Sequence, residues 1–157
     1  MSINIRRAKD SDIAFIKKNS KETAWKSISE YQRKTLNKEE WSQHVDELFG
    51  RIFKRDSHEI FVADDETSSF LGYVWVGEGM NMMTGTKHGY IYDMFVKENH
   101  RRKGIGMMLM KRAEHYCREK GYKEMLLMVS TNNQPARKLY IKQGFKVEQM
   151  YMGKRLT

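Results

Sequence analysis

Tyr90-Ile91-Tyr92-Asp93-Met94-Phe95-Val96, then Lys97-Glu98-Asn99-His100-Arg101-Arg102-Lys103-Gly104-Ile105-Gly106, then Met107-Met108-Leu109 run without a break, and their reading decides the fold. Tyr90 to Val96 is rich in aromatic and β-branched residues, as strands are. From Ile105 onward Ile105, Leu109, Ala113 and Cys117 recur every four residues, with Lys111, Arg112, Glu114 and Arg118 on the other side. That spacing is helical, and Gly121 stops it. A strand feeding a helix through a glycine-rich turn leaves the first helical N–H groups unpaired, where the helix carries partial positive charge. Gly104 and Gly106 have no side chains to hold a pyrophosphate away from those groups, and Arg101, Arg102 and Lys103 surround it with cations. The stretch is therefore expected to cradle a phosphate.

Two better-known nucleotide motifs fit less well. Gly104-Ile105-Gly106 continues into Met107-Met108-Leu109, so the third glycine of a dinucleotide fingerprint is missing. Gly79 to Gly85 is one residue too long for a P-loop, and no Lys-Ser/Thr pair follows.

Working outward, Lys123 to Val129 is a near-continuous apolar run expected to form a strand buried on both faces. Asn132 or Asn133 then caps a short helix through Tyr140, Gly144 ends it, and Phe145 to Met152 alternates as a last strand. Toward the N-terminus, Gly77 to Gly89 reads as a loop, and Glu59 to Ala63 with Phe70 to Val76 as an antiparallel hairpin turned by Asp64 to Ser69. Trp41, Val45, Leu48 and Ile52 have helical spacing. Ile13 and Ile16 belong to a short helix capped by Asp10 or Ser11, and Ile3 and Ile5 to a first strand. The expected order is β-α-α-β-β-β-α-β-α-β. A strand-helix-strand unit requires parallel pairing in the second half, grafted onto an antiparallel first half. The expected class is α+β, with one mixed, mostly antiparallel central sheet flanked by helices.

The chain has 157 residues, enough for one core, so residues 1–157 are expected to form a single domain. One cysteine excludes an internal disulfide, and neither the cysteine nor the five histidines have metal-ligand spacing, so no metal is expected. No run approaches the roughly 18 apolar residues of a membrane span, and no targeting or anchoring segment is visible. The expected compartment is the reducing cytoplasm. A net charge of +9 suits polyanions, whether nucleic acid, an acidic membrane face or a phosphorylated cofactor.

Residues 89 to 146 resemble the GNAT superfamily of acetyl-CoA-dependent N-acetyltransferases. Its pyrophosphate signature, R/Q-x-x-G-x-G/A after the fourth strand, is met by Arg101-Arg102-Lys103-Gly104-Ile105-Gly106. Its later Asn-x-x-Ala, Leu-Tyr and Gly-Phe run is met by Asn133-Gln134-Pro135-Ala136, Leu139-Tyr140 and Gly144-Phe145. Residues 1 to 88 agree only in segment order. The resemblance implies that Arg101, Arg102, Lys103, Gly104, Ile105, Gly106 and Met107 hold the cofactor diphosphate. It implies further that the backbone of Met94, Phe95 and Val96 runs beside pantetheine, with Asn133 touching the same arm or simply capping its helix.

Acetyl transfer to an amine requires a neutral amine, stabilisation of an oxyanion, and a proton for the departing thiolate. The resemblance places Tyr140 where a phenol donates that proton, or else packs under the cofactor. A phenol of pKa about 10 stays protonated at neutral pH and can give its proton to a thiolate of pKa about 8.5. Backbone N–H groups of Met94 to Val96 can polarise the thioester oxygen. An alkyl amine is mostly protonated at pH 7, so a base is required. Asp93 is the first candidate; Tyr90, Tyr92 or a water chain are the others. N-terminal acetyltransferases of this superfamily often carry a Glu in the fifth strand, where this chain has Leu127-Met128-Val129. Glu22, Trp25, Glu30, Tyr31 and Trp41 are candidates for receiving a cationic amine.

The leading expectation is an acetyl-CoA-dependent transferase acting on a primary amine of a small molecule or peptide, by direct attack in a ternary complex. Cys117 lies on the helix core face, which argues against a covalent acetyl-enzyme. A homodimer is compatible with the family, and neither nucleic acid nor membrane is an expected partner. The alternatives are an acyl-CoA-binding sensor without catalysis and a basic nucleic-acid-binding module, the latter suggested by the charge and eighteen aromatic residues. Lys120-Gly121-Tyr122 resembles the start of an RNA-recognition signature, but Lys123-Glu124-Met125 breaks it.

Overall fold

Every residue from Leu71 to Gly77 is buried, which requires neighbours on both edges of the strand and a layer on both of its faces. The computed structural model, which describes residues 2–67 and 69–157, supplies both. Five strands lie side by side in the order β1 (Ile3–Arg7), β2 (His58–Asp65), β3 (Phe70–Met80), β4 (Lys87–Val96) and β5 (Met125–Leu127). The first three pairings are antiparallel and β4 with β5 is parallel, as the mixed-sheet reading requires.

Helices cover both faces. α4 (Ile105–Glu119) lays Ile105, Leu109, Ala113 and Cys117 on Phe61, Leu71, Val74, Val76 and Ile91, joined by Tyr140 from α5 (Gln134–Lys142). On the other face α1 (Asp10–Ser27) and α3 (Lys38–Phe53) cover Ile60, Val62, Tyr73 and Trp75, with α2 (Glu30–Thr35) between them in sequence. Each fully buried side chain of this size contributes about 1.5–3 kcal/mol relative to exposure. Arg6 of β1 fixes the start of α1: its guanidinium meets Asp64 at 2.6 Å and Asp12 at 2.8 Å.

Several expectations are corrected. Gly77 to Gly89 is mostly strand, because β3 runs to Met80 and β4 starts at Lys87. Gly77 and Gly89 sit in the ladder where neighbours come too close for a side chain: a Cβ would collide with the Tyr92 ring at one and with Cys117 Sγ at the other. α1 is long and starts after Lys9, with Asp12 accepting from the Lys9 N–H at 2.7 Å in place of an Asp10 or Ser11 cap. α2 was not anticipated; it buries no residue and so has no apolar stripe to read. β5 is shorter than Lys123 to Val129.

The last strand, Phe145 to Met152, does not form; residues 145–157 are irregular. Phe145 still packs on Tyr140, with ring centroids 5.8 Å apart, but Val147, Met150, Tyr151 and Met152 are exposed. Alternation specifies a face, whereas a strand also needs a partner edge, and the outermost strand here, β5, has three residues.

Gly89→Ala is expected to cost about 1–3 kcal/mol through overpacking against α4. Cys117→Ala removes the colliding sulfur and should recover most of that loss in the double variant. Urea unfolding of the four proteins measures the coupling; strict additivity would contradict the contact.

Candidate active site

β4 has a partner along its whole length on one edge and only along part of it on the other. Parallel pairing to β5 covers Gly89, Tyr90 and Ile91 alone. Trp75 faces Asp93 while its neighbour Val76 faces Ile91, so Tyr92 is the extra residue of a β-bulge. From Tyr92 to Val96 the edge toward β5 carries no ladder partner among the described residues, and beyond Leu127 the other side continues into the exposed Met128. The sheet therefore leaves this stretch of β4 backbone without a strand partner on one edge.

α4 begins beyond the end of that stretch. Its N-cap, Gly104, is left-handed at φ 81° and supplies no side-chain cap, and no acidic residue stands in the first turn. By contrast α1, α2 and α3 all carry an acid there. The N–H groups of the first α4 turn precede the first intrahelical bond, Met108 N–H to Gly104 O at 3.1 Å, and stay available to an anion. Ile105 is buried and anchors the helix, whereas Arg101, Arg102, Lys103 and Gly104 are exposed; Gly106 and Met107 are half-buried. Arg102 also takes a left-handed conformation, φ 63°, and Arg101 donates from Nε to the Val96 carbonyl at 2.9 Å, tying the loop to the end of β4.

At the bulge, Asp93 turns toward α1. Its Oδ2 accepts from Ser20 Oγ at 2.7 Å and from the Tyr73 hydroxyl, which itself accepts from Asn19 Nδ2 at 3.0 Å. Burial pushes the Asp93 carboxyl above its ordinary range, and the Ser20 and Tyr73 hydrogen bonds only partly oppose it. Tyr140 approaches from the other layer, packed on Phe145 and against the same core cluster as Met94 and Val96. Its phenol is pushed up to about 12, first by burial and then by the Asp93 charge. Met94 and Val96 thus face the α4 layer and Phe95 the α1 layer, leaving their common backbone edge unpaired toward β5.

A family model described as the acetyltransferase (GNAT) family matches residues 25–145. This chain belongs to the GNAT acetyltransferase family. Among curated relatives, an uncharacterised N-acetyltransferase of Bacillus subtilis, YhfO, is 25% identical over 144 residues, covering 92% of this chain and 90% of that protein. Mycothiol acetyltransferase of Thermobifida fusca is 31% identical over 96 residues, which is 59% of this chain and only 30% of that longer protein. A solved Pyrococcus furiosus protein assigned as an acetyl transferase superposes with TM-score 0.81 at 31% identity, covering 99% of this chain and 100% of that one.

Within this GNAT chain the candidate residues are distributed unevenly. Asn133 caps α5, its side chain accepting from Ala136 N–H at 3.4 Å. Burial raises both Tyr90 and Tyr92, so each holds its proton more tightly than a free phenol and suits a base poorly. Cys117 is buried and its thiol is pushed up to about 11, which keeps it protonated. Trp25 and Trp41 come together with centroids 4.9 Å apart, and Glu22 lies beside them. Glu30 instead pairs with Lys34 at 2.7 Å, and Tyr31 receives the Arg155 guanidinium at 4.7 Å, outside that group.

Ser20, Asn19 and Tyr73 were missed. A signal existed for Ser20: it follows Ile13 and Ile16 on the sheet-facing stripe of α1, where a polar residue needs a buried partner. Tyr73 is hidden in an apolar run.

A carboxyl raised in the folded state favours folding below its unfolded pKa, and that contribution is lost as pH rises through the folded value. Asp93→Asn cannot ionise, so it should melt at or above the parent's temperature at pH 8, with the advantage shrinking as pH falls toward the ordinary carboxylate range. A variant less stable at pH 8 than at pH 5, relative to the parent, would contradict the raised carboxyl.

Proposed function

We propose that this chain transfers the acetyl group of acetyl-CoA to a primary amine by direct attack in a ternary complex. The observation that carries the reading is the half-paired β4 edge leading directly to an uncapped, acid-free helix N-terminus ringed by cations. A long ligand with a diphosphate at one end and amide groups along its arm fits both parts at once. The N–H groups of Ile105, Gly106 and Met107 hold the diphosphate, and Arg101, Arg102, Lys103 and the side-chain-free Gly104 surround it. The free edge from Met94 to Val96 offers peptide groups to the pantetheine arm, and the Asn133 amide N–H₂ remains available as a donor. When bound, acetyl-CoA supplies a thioester whose carbonyl carbon takes the amine nitrogen as the carbon–sulfur bond breaks.

The chain's own contribution is positioning and proton traffic. Asp93 removes the amine proton; burial makes its carboxylate a stronger base than an ordinary one. Ser20 and Tyr73 keep its Oδ2 oriented. Tyr140 holds a proton at its hydroxyl for the departing sulfur, and a phenol near pKa 12 remains protonated throughout the working range. Met94 to Val96 N–H groups polarise a carbonyl oxygen lying against the edge. The protonated, buried Cys117 is no nucleophile, which supports direct attack over an acetyl-enzyme.

Two measurements test this reading. Calorimetric titration with coenzyme A should give heat that Gly104→Val sharply reduces, because a side chain there both strains the left-handed cap and crowds the cradle. Tyr140→Phe should bind coenzyme A like the parent yet lose about 10²-fold or more in kcat, the usual contribution of a positioned acid. Absence of heat with the parent protein would end the proposal, and an unchanged kcat would remove Tyr140 from it.

A further inference from the structure

Between the C-terminal half of α1 and the start of α3 lies an open cleft of about 280 Å³, walled by Trp25 and Trp41. Its charge is opposite to what a polyamine would require. Three lysines line it, Lys21, Lys26 and Lys38, against the single carboxylate of Glu22. Lys21 is already neutralised, bound to Asp46 at 2.6 Å and Ser42 at 2.8 Å. Lys26 and Lys38 have no carboxylate within ion-pair distance among the described residues, and Lys38 covers the Trp25 ring at 5.4 Å, the place a cationic ligand would seek. The negative end of α1 is offset by Arg33, which donates to the Lys26 carbonyl at 2.7 Å, whereas the start of α3 is capped by Asn37 and carries Glu39 and Glu40.

The cleft and the proposed acetyl-transfer centre share helix α1. Lys21 follows directly on Ser20, whose hydroxyl holds Asp93, and both the cleft and the Asp93 side chain lie on the α1 side of the sheet. We infer that this cleft selects the acceptor: an amine whose flat or apolar body rests on Trp25 and Trp41 and whose carboxylate or phosphate meets Lys26 and Lys38. The inference rests on the acetyltransferase reading above and replaces the cationic pocket expected from the sequence. It accounts for the juxtaposition of indoles and unpaired ammonium groups, which a polyamine site would not contain.

Matched amines test it. 4-(Aminomethyl)benzoate, its phosphonate counterpart, benzylamine and 1,4-bis(aminomethyl)benzene share one reacting group and one ring and differ only in the far charge. Either anionic amine should exceed benzylamine in kcat/KM by about fivefold or more, the combined effect expected of two partly exposed ion pairs, and the diamine should be the poorest. The better of the two anions names the group. Lys26→Gln/Lys38→Gln should collapse the ratio toward one through KM, with the melting temperature unchanged. As a measurement independent of turnover, tryptophan fluorescence titrated with benzoate should respond in the parent, and not in the double lysine variant or in Trp25→Phe/Trp41→Phe. Equal or better use of the diamine, or a benzoate response insensitive to the lysines, would overturn the inference while coenzyme A binding left the transferase reading standing. Failure to bind coenzyme A would instead remove that reading and the acceptor role with it.

Discussion

A peptide group taken out of water must find a hydrogen-bond partner, and β4 beyond Ile91 finds one on a single edge. Everything proposed about this protein depends on that half-satisfied strand. The bulge at Tyr92 sits where the pairing stops: one extra residue follows Ile91, the last of three parallel pairs with β5. The same distortion turns Asp93 toward α1 and brings its neighbour Met94 onto the α4 side with Tyr140. One irregularity in the sheet thereby leaves a backbone wall with Asp93 and Tyr140 on opposite sides of it.

The helix that follows extends this economy. A capped α4 with an acid in its first turn would be a better isolated helix and a poorer anion site. The other N-terminal helices of this chain are capped or acidic at their starts, so the omission at Gly104 is specific to the helix beside the opened edge. The buried Asp93 shows a related trade. Its carboxyl is raised because hydroxyls from Ser20 and Tyr73 do not fully replace lost water, and that residual cost gives the group its basicity.

Charge over the surface divides by location in a way that net charge does not reveal. Cations gather at the α4 start and at the Trp25 cleft, whereas Arg6 is consumed by Asp12 and Asp64 in holding α1 to the sheet. A surplus of nine positive charges in the sequence thus serves different ends, and only neighbours distinguish an ammonium available to a ligand from one that pins two elements together.

The sequence by itself determined the mixed sheet, the glycine-bounded start of α4, the α4 core face and the second signature ending at Gly144-Phe145, because each is local: a period, a turn chemistry or a helix start lies within a few residues of itself. Tertiary structure alone decided the rest. Gly77 and Gly89 look like loop residues until Tyr92 and Cys117 are seen to occupy the space of a side chain. Phe145 to Met152 alternates like a strand but has no matching edge to join. Ser20, Tyr73 and Asp93 are far apart in the chain, and nothing in their separate surroundings says that they meet. Glu22, Trp25, Glu30, Tyr31 and Trp41 suggested a cationic pocket by residue type, and packing split them, leaving two indoles among lysines. Periodicity is a property of one segment, whereas a site is a coincidence of several, and it exists only once the sheet has set their distances.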